Sequence, residues 1–166
     1  MKRAAAALVA SYLRHFSQEL LRTWDTERPL ELRVPGAGAV QGRADLILDG
    51  DTAPGHFTLV DYKTSGAGAG QRDLQDFQLA IYAAALRQSG LDPQAAYVLE
   101  LGPTSPQRHS VPVDHARTQS ASQRARNSML DILAGRFAPQ PDVGSCRRCD
   151  VGELCPDCHA SAVAGH

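Results

Sequence analysis

The sequence is poor in aromatic residues, which make up 5% of its 166 residues, and it has no excess charge of either sign, with 17 Lys and Arg against 18 Asp and Glu. A nearly neutral chain is not expected to wrap nucleic acid in a broad basic surface. No window reaches the roughly 18 apolar residues that a membrane-spanning helix needs, which argues against membrane insertion. An apolar content of 43% excludes a disordered chain and suffices for the core of one domain.

Cysteine does not occur before residue 146, and all four cysteines form two Cys-x-x-Cys pairs near the end: Cys146, Cys149, Cys155 and Cys158. A disulfide scaffold spreads its cysteines through a small secreted domain, whereas this spacing can place four thiolates around one point. We therefore expect a core over residues 1–140, a metal-binding tail over residues 141–166 and a reducing, cytoplasmic compartment. Four thiolates suit Zn²⁺ at least as well as an iron–sulfur cluster.

The start of the chain imitates a secretory signal, but Arg14 and His15 interrupt its apolar run. An apolar stripe at steps of three and four residues instead predicts an amphipathic helix over residues 4–24. The stripe consists of Val9, Leu13, Phe16, Leu20 and Trp24.

The following segments alternate between strand and helix patterns. Strands are predicted at 31–34 and 39–49, on either side of the turn Pro35–Gly38, and at 57–64, 95–101 and 108–114. One helix is predicted from Asp73 to Arg87, after a flexible loop at Gly66–Gly70. Another is predicted from about His115 to Gly135. This order predicts an α/β fold in which helices pack on a mixed central sheet.

An acid and an amine share one face of the third predicted strand. Asp61 and Lys63 are two residues apart, so their side chains project together while Val60 and Tyr62 point to the opposite layer. A hairpin can lay Asp45 beside Asp61, and two adjoining carboxylates suit Mg²⁺ or Mn²⁺. The alternative is a simple salt bridge, but the preceding apolar run indicates a buried strand, where charges are costly.

The helix after this strand carries two polar residues on its apolar side. Gln78 and Tyr82 follow Leu74 by four and eight residues, on a stripe that includes Phe77, Ile81 and Ala85. Either residue alone could be satisfied by backbone groups in the core. Together they favour a site that faces the Asp-x-Lys strand.

These motifs, GRAD ending at Asp45, VDYKT with Asp61 and Lys63, and QLAIY from Gln78 to Tyr82, occur in the order typical of the RecB-type branch of the PD-(D/E)XK nucleases. The chain resembles this family from about Glu31 to Cys155. The resemblance implies a restriction-endonuclease-like fold and metal-dependent hydrolysis of DNA. The expected partners are single-stranded DNA or a duplex end and a helicase, and the expected role is that of an exonuclease in repair or recombination.

The resemblance also assigns roles to the residues. Asp45, Asp61 and the carbonyl of Tyr62 would hold Mg²⁺ or Mn²⁺, which lowers the pKa of a bound water. Lys63 would orient or activate that water and stabilise developing charge. Gln78 and Tyr82 would support the site or hold the DNA backbone.

The cysteine tail resembles the iron–sulfur tails of AddB-like and CRISPR-associated nucleases and the end of nuclease domains fused to UvrD-like helicases. Those proteins take their first cysteine from a segment before the nuclease core, where this sequence has none. Cys158 could replace it as a ligand of a [4Fe–4S] cluster, the metal could be Zn²⁺, or the chain could be a piece of a longer protein. His15 is the candidate for the family's histidine ligand.

A second class of function fits the same residues. The chain could be a metal-stapled module for DNA binding or protein docking that has lost nuclease activity. The intact Asp45, Asp61 and Lys63 argue against this alternative, and the absence of a histidine in the family's usual Gly-x-x-His context argues for it.

Overall fold

The computed structural model describes residues 2–50, 55–64, 69–136, 138–139, 143–146 and 149–158. The chain forms two compact units, Met1–Leu130 and Asp131–His166. The elements in chain order are α1 (Lys2–Leu20), β1 (Thr23–Val34), β2 (Gly38–Asp49), β3 (His56–Lys63), α2 (Ala69–Gln88), β4 (Asp92–Glu100), β5 (Gln107–Val111), α3 (His115–Leu133), α4 (Val143–Cys146) and a short 3₁₀ helix, Gly152–Leu154.

The central sheet is mixed and has five strands in the order β1-β2-β3-β4-β5. The β1–β2, β2–β3 and β4–β5 pairs are antiparallel, whereas β3 and β4 are parallel and are connected through α2. The expected α/β, restriction-endonuclease-like architecture of a mixed sheet flanked by helices is therefore confirmed.

The sheet separates two apolar clusters because neighbouring residues of each strand point to opposite faces. Phe57 and Leu59 of β3 pack with α2 and α3 in the larger cluster. Val60 and Tyr62 pack with α1 in the smaller one. Asp61 and Lys63, which continue the alternation of Phe57 and Leu59, therefore project on the α2 side of the sheet.

The first helix is shorter than predicted and uses a different face. It ends at Leu20, and Trp24 lies in β1. Phe16 of the predicted stripe packs on the sheet together with Tyr12, which was not predicted, whereas Val9, Leu13 and Leu20 are exposed. The prediction was wrong for these three aliphatic residues because helical spacing alone does not show which face packs on the sheet, and aromatic rings offer large apolar surfaces for burial.

The helix α2 begins at Ala69, earlier than predicted, and part of the predicted loop Gly66–Gly70 lies outside the described residues. Leu74 was expected in its apolar stripe but is 60% exposed. Ile81 and Ala85 of that stripe are buried as predicted, and Leu79, Ala83 and Leu86 extend the buried face. Over the described part of the chain, none of the helices has the length and apolar content needed to cross a membrane.

Candidate active site

The candidate site lies where the ladder between β2 and β3 ends. The last pair of that ladder is Leu46 with Val60, and Asp45 and Asp61 are the next residues on the two strands. The backbone N–H of Tyr62 donates a hydrogen bond of 2.8 Å to Oδ2 of Asp45. A carboxylate thus replaces the next ladder bond, and Asp45 and Asp61 lie on adjoining strands at the same end of the ladder.

The predicted pair on β3 is an ion pair. Nζ of Lys63 lies 2.7 Å from Oδ2 of Asp61, whose side chain is 5% exposed. Within the described part of the chain, this oxygen has no hydrogen-bond partner besides that contact. Burial raises the pKa of Asp61, the nearby Lys63 ammonium lowers it, and the negative charge of Asp45 raises it further.

The two polar residues on α2 bind each other. Nε2 of Gln78 donates a hydrogen bond of 2.9 Å to the hydroxyl of Tyr82, which also accepts a longer bond of 3.4 Å from the backbone N–H of Arg43. The ring of Tyr82 lies against Gly42, where a Cβ atom would come within 2.9 Å of the Tyr82 hydroxyl oxygen. Gly42 is therefore needed for the close approach of α2 to the strand that carries Asp45.

Tyr62 also links the site to α1 on the other side of the sheet. Its hydroxyl donates a hydrogen bond of 2.9 Å to that of Tyr12, and the two rings meet edge to face at 5.5 Å. Burial raises the pKa of Tyr62, and the hydrogen bond to Tyr12 raises it further. The Tyr62 phenol therefore remains a protonated donor at ordinary pH.

The model of the PD-(D/E)XK nuclease superfamily matches residues 1–156 of the sequence. The chain belongs to this superfamily. Nucleases of the superfamily typically use divalent metal ions. A search of curated proteins finds no matching relative.

Solved structures show the same fold at low sequence identity. SSO0001 matches with a TM-score of 0.54 and 19% identity over 92% of this chain. A protein from Eubacterium rectale, described as a candidate exonuclease, matches with a TM-score of 0.56 and 17% identity over 95% of this chain. The chain spans 66% and 59% of the length of these two proteins.

The residues present fit a divalent cation. Two acids stand side by side, the charge of Asp45 raises the pKa of Asp61, and a buried oxygen of Asp61 has the Lys63 ammonium as its compensating contact. Oxygen ligands are the ones that Mg²⁺ and Mn²⁺ prefer, and a cation would relieve the repulsion between the acids. Asp45, Asp61 and the carbonyl of Tyr62, the groups that the resemblance assigns, would hold it.

Two further polar residues of β4 and α2, Glu100 and Gln75, were not predicted from the sequence. Glu100 pairs with Lys63 in the parallel ladder, so its side chain lies on the same face of the sheet, and Nε2 of His109 is 3.6 Å from its carboxylate. Gln75 is 6% exposed, and its Nε2 has no hydrogen-bond partner in the described residues. Its spacing of three and seven residues from Gln78 and Tyr82 was the available signal.

His15, the candidate histidine ligand, is exposed on α1. Its ring N–H at Nδ1 donates a hydrogen bond of 2.8 Å to the carbonyl of Ser11. Among the hydrogen bonds and ion pairs of the described residues, none joins His15 to Asp45 or Asp61.

The tail brings together two of the four cysteines. Cys146 and Cys158 form a disulfide with their Cα atoms 5.4 Å apart, whereas Cys149 and Cys155 are free thiols. Among the residues that the structure describes, no group of three or more His, Cys, Asp or Glu side chains is arranged to hold a metal. The expected four-thiolate arrangement is thus not seen, since a disulfide occupies two of the sulfurs that a metal would bind as thiolates.

Proposed function

We propose that the chain is the catalytic core of a RecB-type nuclease that hydrolyses phosphodiester bonds of DNA with Mg²⁺ or Mn²⁺. The observation that carries this proposal is the ion pair of the buried Asp61 with Lys63, beside Asp45. Burying a carboxylate is costly, and sheets that need only stability fill such positions with apolar residues. Charged groups kept at this cost are typical of a functional site.

In this proposal Asp45 and Asp61 hold the cation. A divalent cation, when bound, supplies positive charge to the phosphate and lowers the pKa of water. Asp45 is held by the Tyr62 N–H at 2.8 Å, and Asp61 is buried, so both acids are oriented before a substrate arrives. Such preorganisation avoids a reorganisation cost during the reaction.

Lys63 is the cationic group of the site. Its side chain is 30% exposed, whereas that of Asp61 is 5% exposed, so the ammonium lies between a buried acid and solvent. The Lys63 ammonium would donate hydrogen bonds to a phosphodiester in that space. These bonds would stabilise the negative charge that develops on the phosphate oxygens.

Gln78 and Tyr82 brace the site from α2. The Tyr82 hydroxyl is held by Gln78 and contacts the backbone of Arg43, two residues before Asp45. In this proposal the pair fixes β2 relative to α2 and thereby the position of Asp45.

The substrate and partners belong to the same proposal. The motif order and the cysteine tail resemble RecB-type nucleases, which supports an exonuclease of DNA repair or recombination, acting in the cytoplasm on a single strand or a duplex end beside a helicase. The Eubacterium rectale neighbour is described as a candidate exonuclease, which agrees with this proposal.

The test is cleavage of labelled single-stranded DNA in Mn²⁺ and Mg²⁺. Asp61→Ala should abolish cleavage, and Lys63→Ala should abolish it while retaining Mn²⁺ binding in calorimetric titration. Asp92→Ala is the matched control, because this exposed acid lies at the opposite end of the sheet. Cleavage that survives in carefully purified Asp61→Ala would refute the assignment. Comparing circular with linear single strands then separates endonuclease from exonuclease activity.

We also propose that the tail binds a [4Fe–4S] cluster or Zn²⁺ under reducing conditions. The spacing of the cysteines supports this, and so does the closeness of Cys146 and Cys158 at the two ends of the segment. Elemental analysis of protein purified without oxygen, with a visible absorption spectrum, distinguishes a brown iron–sulfur cluster from colourless zinc. Metal-free protein from that preparation would contradict the proposal.

The second candidate is an inactive module for DNA binding or protein docking. The position of His15, which is exposed and bonded to Ser11, favours it, because a site without its histidine has one ligand fewer. Calorimetric titration of Mn²⁺ into the wild type and into Asp61→Ala separates the candidates. An inactive module would show equally weak binding in both proteins.

A further inference from the structure

Gln75 is a buried side chain that the mechanism above does not use. It is 6% exposed, and within the described residues its Nε2 lacks a hydrogen-bond partner. A buried amide that donates no hydrogen bond is unfavourable, and each such group in a native structure needs an explanation. The explanation depends on where along the sheet this amide lies.

The contacts of α2 with β4 give one measure of its position. The guanidinium of Arg87 donates a hydrogen bond of 2.8 Å to the carbonyl of Pro93, so these two residues lie within the reach of one arginine side chain. Gln75 lies 12 residues before Arg87 on the helix, which is about 18 Å. On β4, about 18 Å corresponds to roughly five residues and reaches Val98. Val98 pairs with Asp61.

The contacts of α2 with the β1–β2 hairpin give an independent measure. Gln88 bonds the backbone of Arg33 at 2.7 Å, and Arg33 pairs with Ala39 of β2. The ring of Tyr82 lies against Gly42. Three residues of β2, about 10 Å, thus correspond to six residues of α2, about 9 Å.

Continuing at this ratio, the next three residues of β2 end at Asp45, and the next six residues of α2 end at about position 76. Both measures therefore place Gln75 within about one helical turn of the level of Asp45 and Asp61. The spacing of Gln75 from the buried Leu79 and from Tyr82 puts it on the side of α2 that faces the sheet.

Within the described residues, the Nε2 donor of Gln75 therefore has no hydrogen-bond partner, whereas the buried Oδ2 acceptor of Asp61, at about the same level, has the Lys63 ammonium as its one contact. They do not bond each other. We infer that Gln75 is a further substrate-binding residue, whose amide donates to a non-bridging phosphate oxygen of the nucleic-acid backbone. This inference rests on the proposed function, because the anion it names is the phosphodiester that the site would cleave.

The test compares the full-length wild type with Gln75→Met, which keeps the length of the side chain and removes the donor. Binding of a fluorescein-labelled single-stranded oligonucleotide is measured by anisotropy in Ca²⁺, and cleavage is measured separately in Mn²⁺. Loss of one hydrogen bond to a charged oxygen should weaken binding at least about tenfold. The affinity for Mn²⁺ alone should not change, and the thermal midpoint should stay or rise, because a buried group without a partner has been removed.

Thr118→Val is the matched control, since this buried hydroxyl on α3 is fully bonded and should lower the midpoint without weakening binding. Gln75→Glu places a negative charge at the phosphate and should bind more weakly than Gln75→Met. Unchanged affinity in Gln75→Met, affinity restored by Gln75→Glu, or a wild type that does not bind the oligonucleotide would each overturn the inference. A wild type that binds DNA without cleaving it would refute the proposed function and still decide the role of Gln75.

Discussion

The backbone N–H of Tyr62 donates a hydrogen bond to the carboxylate of Asp45 at the point where the ladder between β2 and β3 ends. The bond therefore holds Asp45, which lies on β2, through the backbone of β3, the strand that carries Asp61. It also gives Asp45 a structural role beside its proposed role as a metal ligand, and the two roles can be separated by one substitution.

Asp45→Asn keeps an oxygen that can accept the bond from Tyr62 but removes the negative charge. We expect its free energy of unfolding to stay within about 0.5 kcal/mol of the wild type. Mn²⁺ binding should weaken at least about tenfold. Removing a residue that only hydrogen-bonds to a metal ligand already costs about this much affinity, and Asp45 is proposed to be a ligand itself. Chemical unfolding and calorimetric titration measure the two effects. Asp49→Asn, an exposed acid on the same strand, is the control, and equal Mn²⁺ affinity in both variants would contradict the role of Asp45.

The hydroxyl pair of Tyr12 and Tyr62 should matter for turnover as well as for stability. Tyr12→Phe removes one hydrogen bond and should cost about 1 kcal/mol of stability. Because Tyr62 also holds Asp45, we expect turnover to fall by roughly tenfold, as small misplacements of reacting groups do. Tyr97→Phe is the control, since the Tyr97 hydroxyl donates to Glu19 in the same interface between α1 and the sheet. Similar losses of turnover in both variants would mean that the effect is general loosening.

Gly42 should tolerate no side chain while Tyr82 is present. In Gly42→Ala the new methyl group would overlap the Tyr82 ring, and we expect a loss of about 1–3 kcal/mol together with reduced cleavage. Thermal unfolding of the single and double variants checks the cause. In a Tyr82→Ala background the ring is gone, so adding Gly42→Ala should cost little. An equal cost in both backgrounds would place the strain elsewhere.

The sequence analysis predicted the parts of the site that follow from strand geometry. Side chains two residues apart on a strand share a face, and this placed Lys63 beside Asp61 before any tertiary contact was known. The turn Pro35–Gly38 likewise fixed the β1–β2 hairpin, which runs from Val34 paired with Gly38. These features depend on local covalent geometry, and local geometry can be read from sequence.

The missed features depend on tertiary packing. Helical periodicity gave the spacing of α1 but not the face that packs on the sheet, so Val9 and Leu13 were chosen over Tyr12. The spacing of Gln75 from Gln78 and Tyr82 is compatible with the same helix face, but its burial depends on how α2 crosses the sheet. The pairing of Glu100 with Lys63 could not be predicted for the same reason, because the register of parallel strands depends on the whole connection between them.

The buried Asp61 should reduce stability at neutral pH. Burial raises its pKa in the folded protein, so the folded state binds a proton more tightly than the unfolded chain does. The contribution of this residue to stability is therefore fully present below the unfolded pKa and is lost as pH rises through the raised folded pKa. Asp61→Asn, which cannot ionise, should be more stable than the wild type by about 1 kcal/mol at pH 7, and inactive.

The same comparison at lower pH tests the cause. As the pH falls through the raised pKa, the wild-type carboxyl becomes protonated and the advantage of Asp61→Asn should vanish. Denaturant unfolding across this range measures the difference. The exposed Asp92→Asn should show no comparable trend. A stability difference that does not change with pH would mean that packing, rather than charge, separates Asp61→Asn from the wild type.

A disulfide and a four-thiolate metal centre predict different effects of replacing each cysteine of the tail. A disulfide between Cys146 and Cys158 makes these two equivalent and leaves Cys149 and Cys155 without a role. A four-thiolate centre makes all four equivalent. Under reducing, oxygen-free conditions we expect Cys149→Ser and Cys158→Ser to lower the metal content equally, because each removes one ligand.

The stability of the tail gives the second measurement. Metal binding would contribute directly to the folding of a segment that includes two prolines and few apolar residues, so limited proteolysis should cut the tail of Cys149→Ser as readily as that of Cys158→Ser. If the disulfide alone orders the tail, oxidised Cys149→Ser should resist proteolysis like the wild type, whereas Cys158→Ser should be cut. A ligand from a missing upstream segment would give a third pattern, in which Cys158→Ser keeps its metal and Cys149→Ser loses it.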